Sequence, residues 1–176
     1  MKEVPIVTPE ALRETARFMN PGNICRRVIA LTVDERSVEP THNKAVQWCG
    51  LGHIYRTLNW SNEPLDEDPV GQQVDLIYNK FLRTYEGLNV LGFFSDDWFI
   101  SEVERCLNNK GWAYPRFYRF NDHFASSGRE KVIPEFVRHM ANFLAANPGY
   151  QEQCREIARS AAIRRSGSGA EMSAAH

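Results

Sequence analysis

In the stretch AVQWCGLGHIYRTL, residues 45–58, a cysteine and a histidine stand four residues apart, a spacing that puts two side chains on one face of a helix. Cys49 with His53 has the makings of a nucleophile and its general base. His123 is the alternative base, and the Asp122 carboxylate would orient whichever histidine serves, completing a Cys-His-Asp arrangement. Such a set would serve a small cysteine-dependent hydrolase or transferase acting on an acyl or glycosyl substrate. The chemistry needs a thiol whose pKa is lowered by a helix N-terminus or a nearby cation. With the helix starting at Thr41, Cys49 lies about two turns in, and His53 is the only nearby activator. The same residues also suit packing: Trp48, Cys49, Gly52 and Tyr55 make a core stripe, with Gly50 and Gly52 admitting a close backbone. A zinc site would need further ligands such as His123 and His139, which have no paired spacing, so no metal and no cofactor is expected.

Two other groups of residues could recognise a ligand. In WAYPRFYRF, residues 112–120, the aromatic side chains of Trp112, Tyr114 and Tyr118 interleave with Arg116 and Arg119, a composition that can stack bases or line a half-buried edge. Near the C-terminus Arg155, Arg159, Arg164 and Arg165 form a basic stripe opposed by Glu152 and Glu156. That stripe reads as a solvated face, or as a docking surface for an acidic partner or for nucleic acid. Asn121 and Asp122 ahead of a helix favour a cap or an Asx-turn. Asp96 and Asp97 are explained by the dipole at a helix start.

The elements that must position these groups are mostly helical. Thr8-Pro9-Glu10 starts a first helix running to about Met19, and NPG at 20–22 stops it. The β-branched run from Arg27 to Val33, the polar residues Asp34 to Arg36, and a second run ending at Pro40 predict a small hairpin or a strand with a turn. A second helix is expected from Thr41 to about Asn59. A third is expected from Asp68-Pro69 to about Glu86, with Val70, Val74, Ile77, Phe81 and Tyr85 at helical spacing. A fourth follows Ser95, with Phe99, Val103, Cys106 and Leu107 as its stripe. The segment 112–120 is expected to be extended, and NDHFASSGRE to be a loop. Glu130 to Ala146 makes a fifth helix, and Tyr150 to about Arg165 a sixth. The small polar run SGSGAEMSAAH after it is expected to be a flexible tail. The sum is a mainly α domain over 1–165 with one or two short strands, and a tail over 166–176.

Composition narrows the function classes. At 176 residues with 43% apolar and 11% aromatic residues, the chain can bury a core as one domain. Twenty-one Lys and Arg against 22 Asp and Glu give a net charge of −1, so no global field favours nucleic acid or an anionic membrane. No apolar run approaches the ~20 residues needed to span a bilayer. The opening MKEVPIVTPEALRE lacks the pattern of a signal peptide, and the four cysteines lack C-x-x-C pairing, so a cytoplasmic protein with reduced thiols is expected.

RVIALTVDERSVEP leading into AVQWCGLGHIYRTL, and FNDHFASSGREKVIPEFVRHM much later, resemble a family of small bacterial and phage proteins of unknown function. Its members carry a Trp-Cys-x-x-Gly helix after a short strand and turn, and an Asn-Asp dipeptide ahead of a late helix. Here those positions are Trp48, Cys49, Gly52, Asn121 and Asp122, within a resemblance covering about 26–144. The chain departs from the pattern at His53, where a small residue is usual, and in the long insertion between the motifs. The resemblance implies a fold and a bacterial or phage source, with no mechanism. The leading expectation is a small non-enzymatic interaction protein, with a protein partner or self-association through the aromatic segment and the C-terminal helix. The cysteine enzyme and nucleic-acid binding through the arginines are the alternatives.

Overall fold

A computed structural model describes residues 3–61, 67–84, 86, 87, 89, 90, 101, 105 and 116–173. The chain is mainly helical with a small antiparallel sheet. Six helices have their bounds within the described residues: α1 Pro9–Phe18, α2 Gly50–Thr57, α3 Pro69–Leu82, α4 Phe117–Ser126, α5 Val132–Ala146 and α6 Pro148–Ser173. Three two-residue strands, β1 Ala30–Leu31, β2 Ser37–Val38 and β3 Gln47–Trp48, form a sheet in the order β2-β1-β3.

The helix starts written locally in the sequence form as expected. Thr8 Oγ1 accepts from Ala11 N at 3.1 Å, with Pro9 in the first turn. Asp68 Oδ1 accepts from Val70 N at 3.0 Å and Gly71 N at 3.2 Å, and also from the Trp60 indole at 3.3 Å. α1 lies along α5, and α6 packs on α3. Two buried amides hold the segment before α1. Gln73 accepts from Val7 N at 2.8 Å and donates to Pro5 O at 3.0 Å, while Gln151 donates to Val7 O at 2.8 Å. The core centre is aromatic: Phe120 of α4 lies 4.3 Å from Phe136 of α5 and 6.0 Å from Tyr78 of α3, ring centre to ring centre.

The hairpin forms, with Ala30 opposite Val38. The expected helix from Thr41 to Asn59 does not. Residues 39–45 turn, with His42 N donating to Glu39 O and Ala45 N to His42 O, both at 3.0 Å. The chain then pairs with the hairpin: Val46 N donates to Leu31 O at 2.8 Å and Cys49 N to Ile29 O at 3.0 Å. Those amides are committed to the sheet, so the helix begins only after Cys49. α2 ends in a Schellman motif, with Asn59 N bonded to Arg56 O and Trp60 N to Tyr55 O; Asn59 takes the left-handed position at φ 50°.

The second correction concerns 116–126. Arg116 has extended backbone, but Phe117–Ser126 is helix, so neither the extended run through Phe120 nor the loop at NDHFAS forms. Phe117, Phe120 and Phe124 recur at helical spacing and are all fully buried, and that burial outweighs the low helix propensity of the run. Trp112, Tyr114, Tyr85 and the stripe of the expected fourth helix lie outside the described residues. α6 continues past Arg165 to Ser173, through most of the expected tail.

Candidate functional site

Cys49 is the N-cap of α2, and its Sγ accepts from Gly52 N at 3.3 Å. A helix N-terminus normally favours a thiolate. Here the residue is only 3% exposed, and burial pushes the thiol up to about 12, against the smaller opposing effect of the Gly52 N–H. His53 is 1% exposed; burial pushes its imidazole down to about 4, and its Nε2 lies 3.1 Å from Asn23 O. With a carbonyl as its partner, Nε2 carries the hydrogen. Its ring tilts against the Trp48 indole at 5.4 Å. The thiol is therefore bonded to Gly52 and the imidazole to Asn23, and both are held neutral at pH 7.

Asn121 and Asp122 do meet this region, in a different capacity. Buried Asn121 accepts from Gly50 N at 2.8 Å and donates to Cys25 O at 3.0 Å, so it caps α2 from 71 residues away. Asp122 Oδ1 accepts from Arg27 N at 2.9 Å and from Asn121 Nδ2 at 3.2 Å. Arg27 sits in the left-handed region at φ 64°, and the Asp122 carboxylate anchors that turn. Asp122 thus steers backbone, and the structure gives it no contact with His53. The two glycines complete the junction. A Cβ on Gly52 would lie 2.1 Å from Ile29 O, and one on Gly50 would lie 2.9 Å from the Phe117 ring.

The recognition residues fall in two places. Tyr118 is half-buried and Arg119 exposed on α4, with Arg119 Nε donating to Tyr118 Oη at 3.5 Å, while Arg116 stands at the N-cap position of the same helix with no side-chain cap bond. On α6, Arg155 pairs with Glu152 at 2.9 Å, and Arg159 pairs with both Glu152 and Glu156. Arg164 is exposed, and Arg165 lays its guanidinium 4.9 Å from the Trp60 ring centre.

One concavity was not singled out by the sequence, although Trp48 and Arg56 both fall inside the opening stretch. A cavity of about 310 Å³ is lined by Thr41, His42, Asn43, Trp48, Arg56 and Asn59 together with small apolar neighbours. The Arg56 guanidinium lies 4.4 Å from the Trp48 ring and 5.6 Å from the Phe18 ring. Among the described residues no three of His, Cys, Asp and Glu converge as a metal site would require, and no helix is long and apolar enough to cross a membrane. Comparison with protein-family models, with curated proteins and with solved structures finds no match to this chain.

Proposed function

We propose that this chain is a non-enzymatic interaction protein whose contact surface is the outer end of α6, and that its partner presents an acidic surface with an apolar patch. The observation that carries the reading is the exposed face of α6 beyond the stripe it buries. Its inward stripe, Gln151, Cys154, Ala158 and Ala161, is buried, and Arg165 continues that stripe onto Trp60. On the outer side Ile163 is 65% exposed beside exposed Arg164, and the helix runs on to Ser173. No acidic residue stands between Glu156 and Glu171, whereas Arg159, Arg164 and Arg165 do. A second copy would set two such basic stretches against each other, so an acidic partner is the better complement. The neutral, separately bonded Cys49 and His53 support binding over cysteine catalysis.

The test is fluorescence anisotropy on the full chain, using a labelled acidic peptide with leucines at helical spacing and an oligonucleotide of matching charge. The peptide is expected to bind, and Ile163→Asp combined with Arg164→Glu to weaken it by roughly tenfold or more. Absence of peptide binding, or tighter oligonucleotide binding that falls steeply with salt, would overturn the reading.

A further inference from the structure

We propose that the cavity walled by Trp48 and Arg56 is a binding site for the carboxylate of a small organic acid. This inference is independent of the α6 surface. Arg56 is exposed, and among the described residues no carboxylate lies within ion-pair distance of it. Six surface arginines, Arg13, Arg17, Arg36, Arg138, Arg155 and Arg159, are paired with acids, whereas among the described residues Arg56, like Arg26, Arg27 and Arg83, is not. Arg56 is held by rings instead, within cation–π reach of Trp48 and Phe18, and this fixes the guanidinium without using up its capacity for an anion.

The other walls are polar or small and apolar. His42 Nδ1 accepts from Lys44 N at 3.1 Å, which leaves the hydrogen of the neutral ring on Nε2. Asn43 and Asn59 add amide groups and Thr41 a hydroxyl that is bonded to Ser61 Oγ at 3.2 Å, and among the described residues no Asp or Glu lines the space. The Trp48 indole N–H is already bonded to Pro40 O at 2.8 Å, so this ring offers the cavity an apolar surface. A single guanidinium balances a single negative charge, as on a carboxylate, better than the dianion of a phosphate monoester. A planar guanidinium can also meet both carboxylate oxygens at once. The volume of about 310 Å³ sits at the small end of ligand pockets. It suits a free acid of about ten non-hydrogen atoms, or the terminal carboxylate and last side chain of a peptide.

Titration of the full chain, followed by NMR at the Trp48 indole N–H and by calorimetry, tests the proposal. The probes are benzoate, benzamide, inorganic phosphate, and one short peptide with either a free or an amidated C-terminus. Benzoate, the free-ended peptide or both are expected to saturate one site, while benzamide and the amidated peptide do not. Whichever carboxylate binds tighter identifies the source. Arg56→Gln is expected to weaken binding at least about tenfold, and Arg56→Lys, which keeps charge and stem but loses the fork, to weaken it as well. No saturable site, benzamide binding as well as benzoate, phosphate binding tighter than either carboxylate, or an Arg56→Lys protein that binds unchanged would each overturn it.

Discussion

Gly52 shows how tightly the junction around Cys49 is drawn. With a Cβ it would press within 2.1 Å of a backbone carbonyl, Ile29 O, which has no soft rotamer to yield. Gly52→Ala is therefore expected to cost about 3 kcal/mol in urea unfolding, the upper part of the range for overpacking. Gly50→Ala meets the edge of the Phe117 ring and should cost less. Asn121→Ala strands a buried donor at Gly50 and a buried acceptor at Cys25, and is expected to lose about 3 kcal/mol by the same measurement. That small residues in Cys-Gly-Leu-Gly admit a close backbone was legible from the sequence. Which backbone approaches was not, because Ile29 and Asn121 reach the site only through the tertiary fold.

At the scale of elements, what could be read depended on where each helix keeps its cap. α1 and α3 carry theirs in the preceding residue, Thr8 and Asp68, so both starts were legible. α4 takes its cap from afar, and α2 adds a distant cap to the local one at Cys49. Asn121 serves the first amide of α2, and Asp75 of α3 accepts from Phe117 N at 2.9 Å at the head of α4. The aromatic run therefore gave no local helix start, and the strand pairing that holds 46–49 out of α2 is equally non-local. Asp75→Ala is expected to raise hydrogen exchange at the amides of Phe117 to Phe120 ahead of the rest of the core. The associated stability loss should be about 1 kcal/mol, the usual cost of a lost cap. Uniform acceleration across all helices would contradict this local role.

At the scale of the whole molecule, two buried groups set opposing pH dependences. Burial lowers His53 from 6.5 to about 4, so its contribution is fully present above pH 6.5 and is lost as pH falls through 4. Burial raises Asp75 from 3.8 to about 6, against the smaller opposing effect of the Phe117 N–H; its contribution is present below 3.8 and is lost as pH rises through 6. Between pH 4 and 6 the two slopes oppose each other. His53→Gln should therefore unmask stability that falls as pH rises across this window. Asp75→Asn should unmask stability that rises, by on the order of 3 kcal/mol from His53. Urea midpoints at pH 4.5 and 6.5 report both, and variants with the same pH slope as the parent chain would refute the assignment. The helical class and the hairpin were legible from composition and periodicity, whereas the Trp48–Arg56 cavity was not, since it depends on the turn at 39–45. The account as a whole rests on Cys49 being structural. Its most direct test is alkylation of the native full chain between pH 7 and 10, read at Cys49 by mass spectrometry. With its pKa near 12, Cys49 is expected to react only as fast as the chain unfolds. Native-state modification of Cys49 with a pH inflection below 8 would contradict the account.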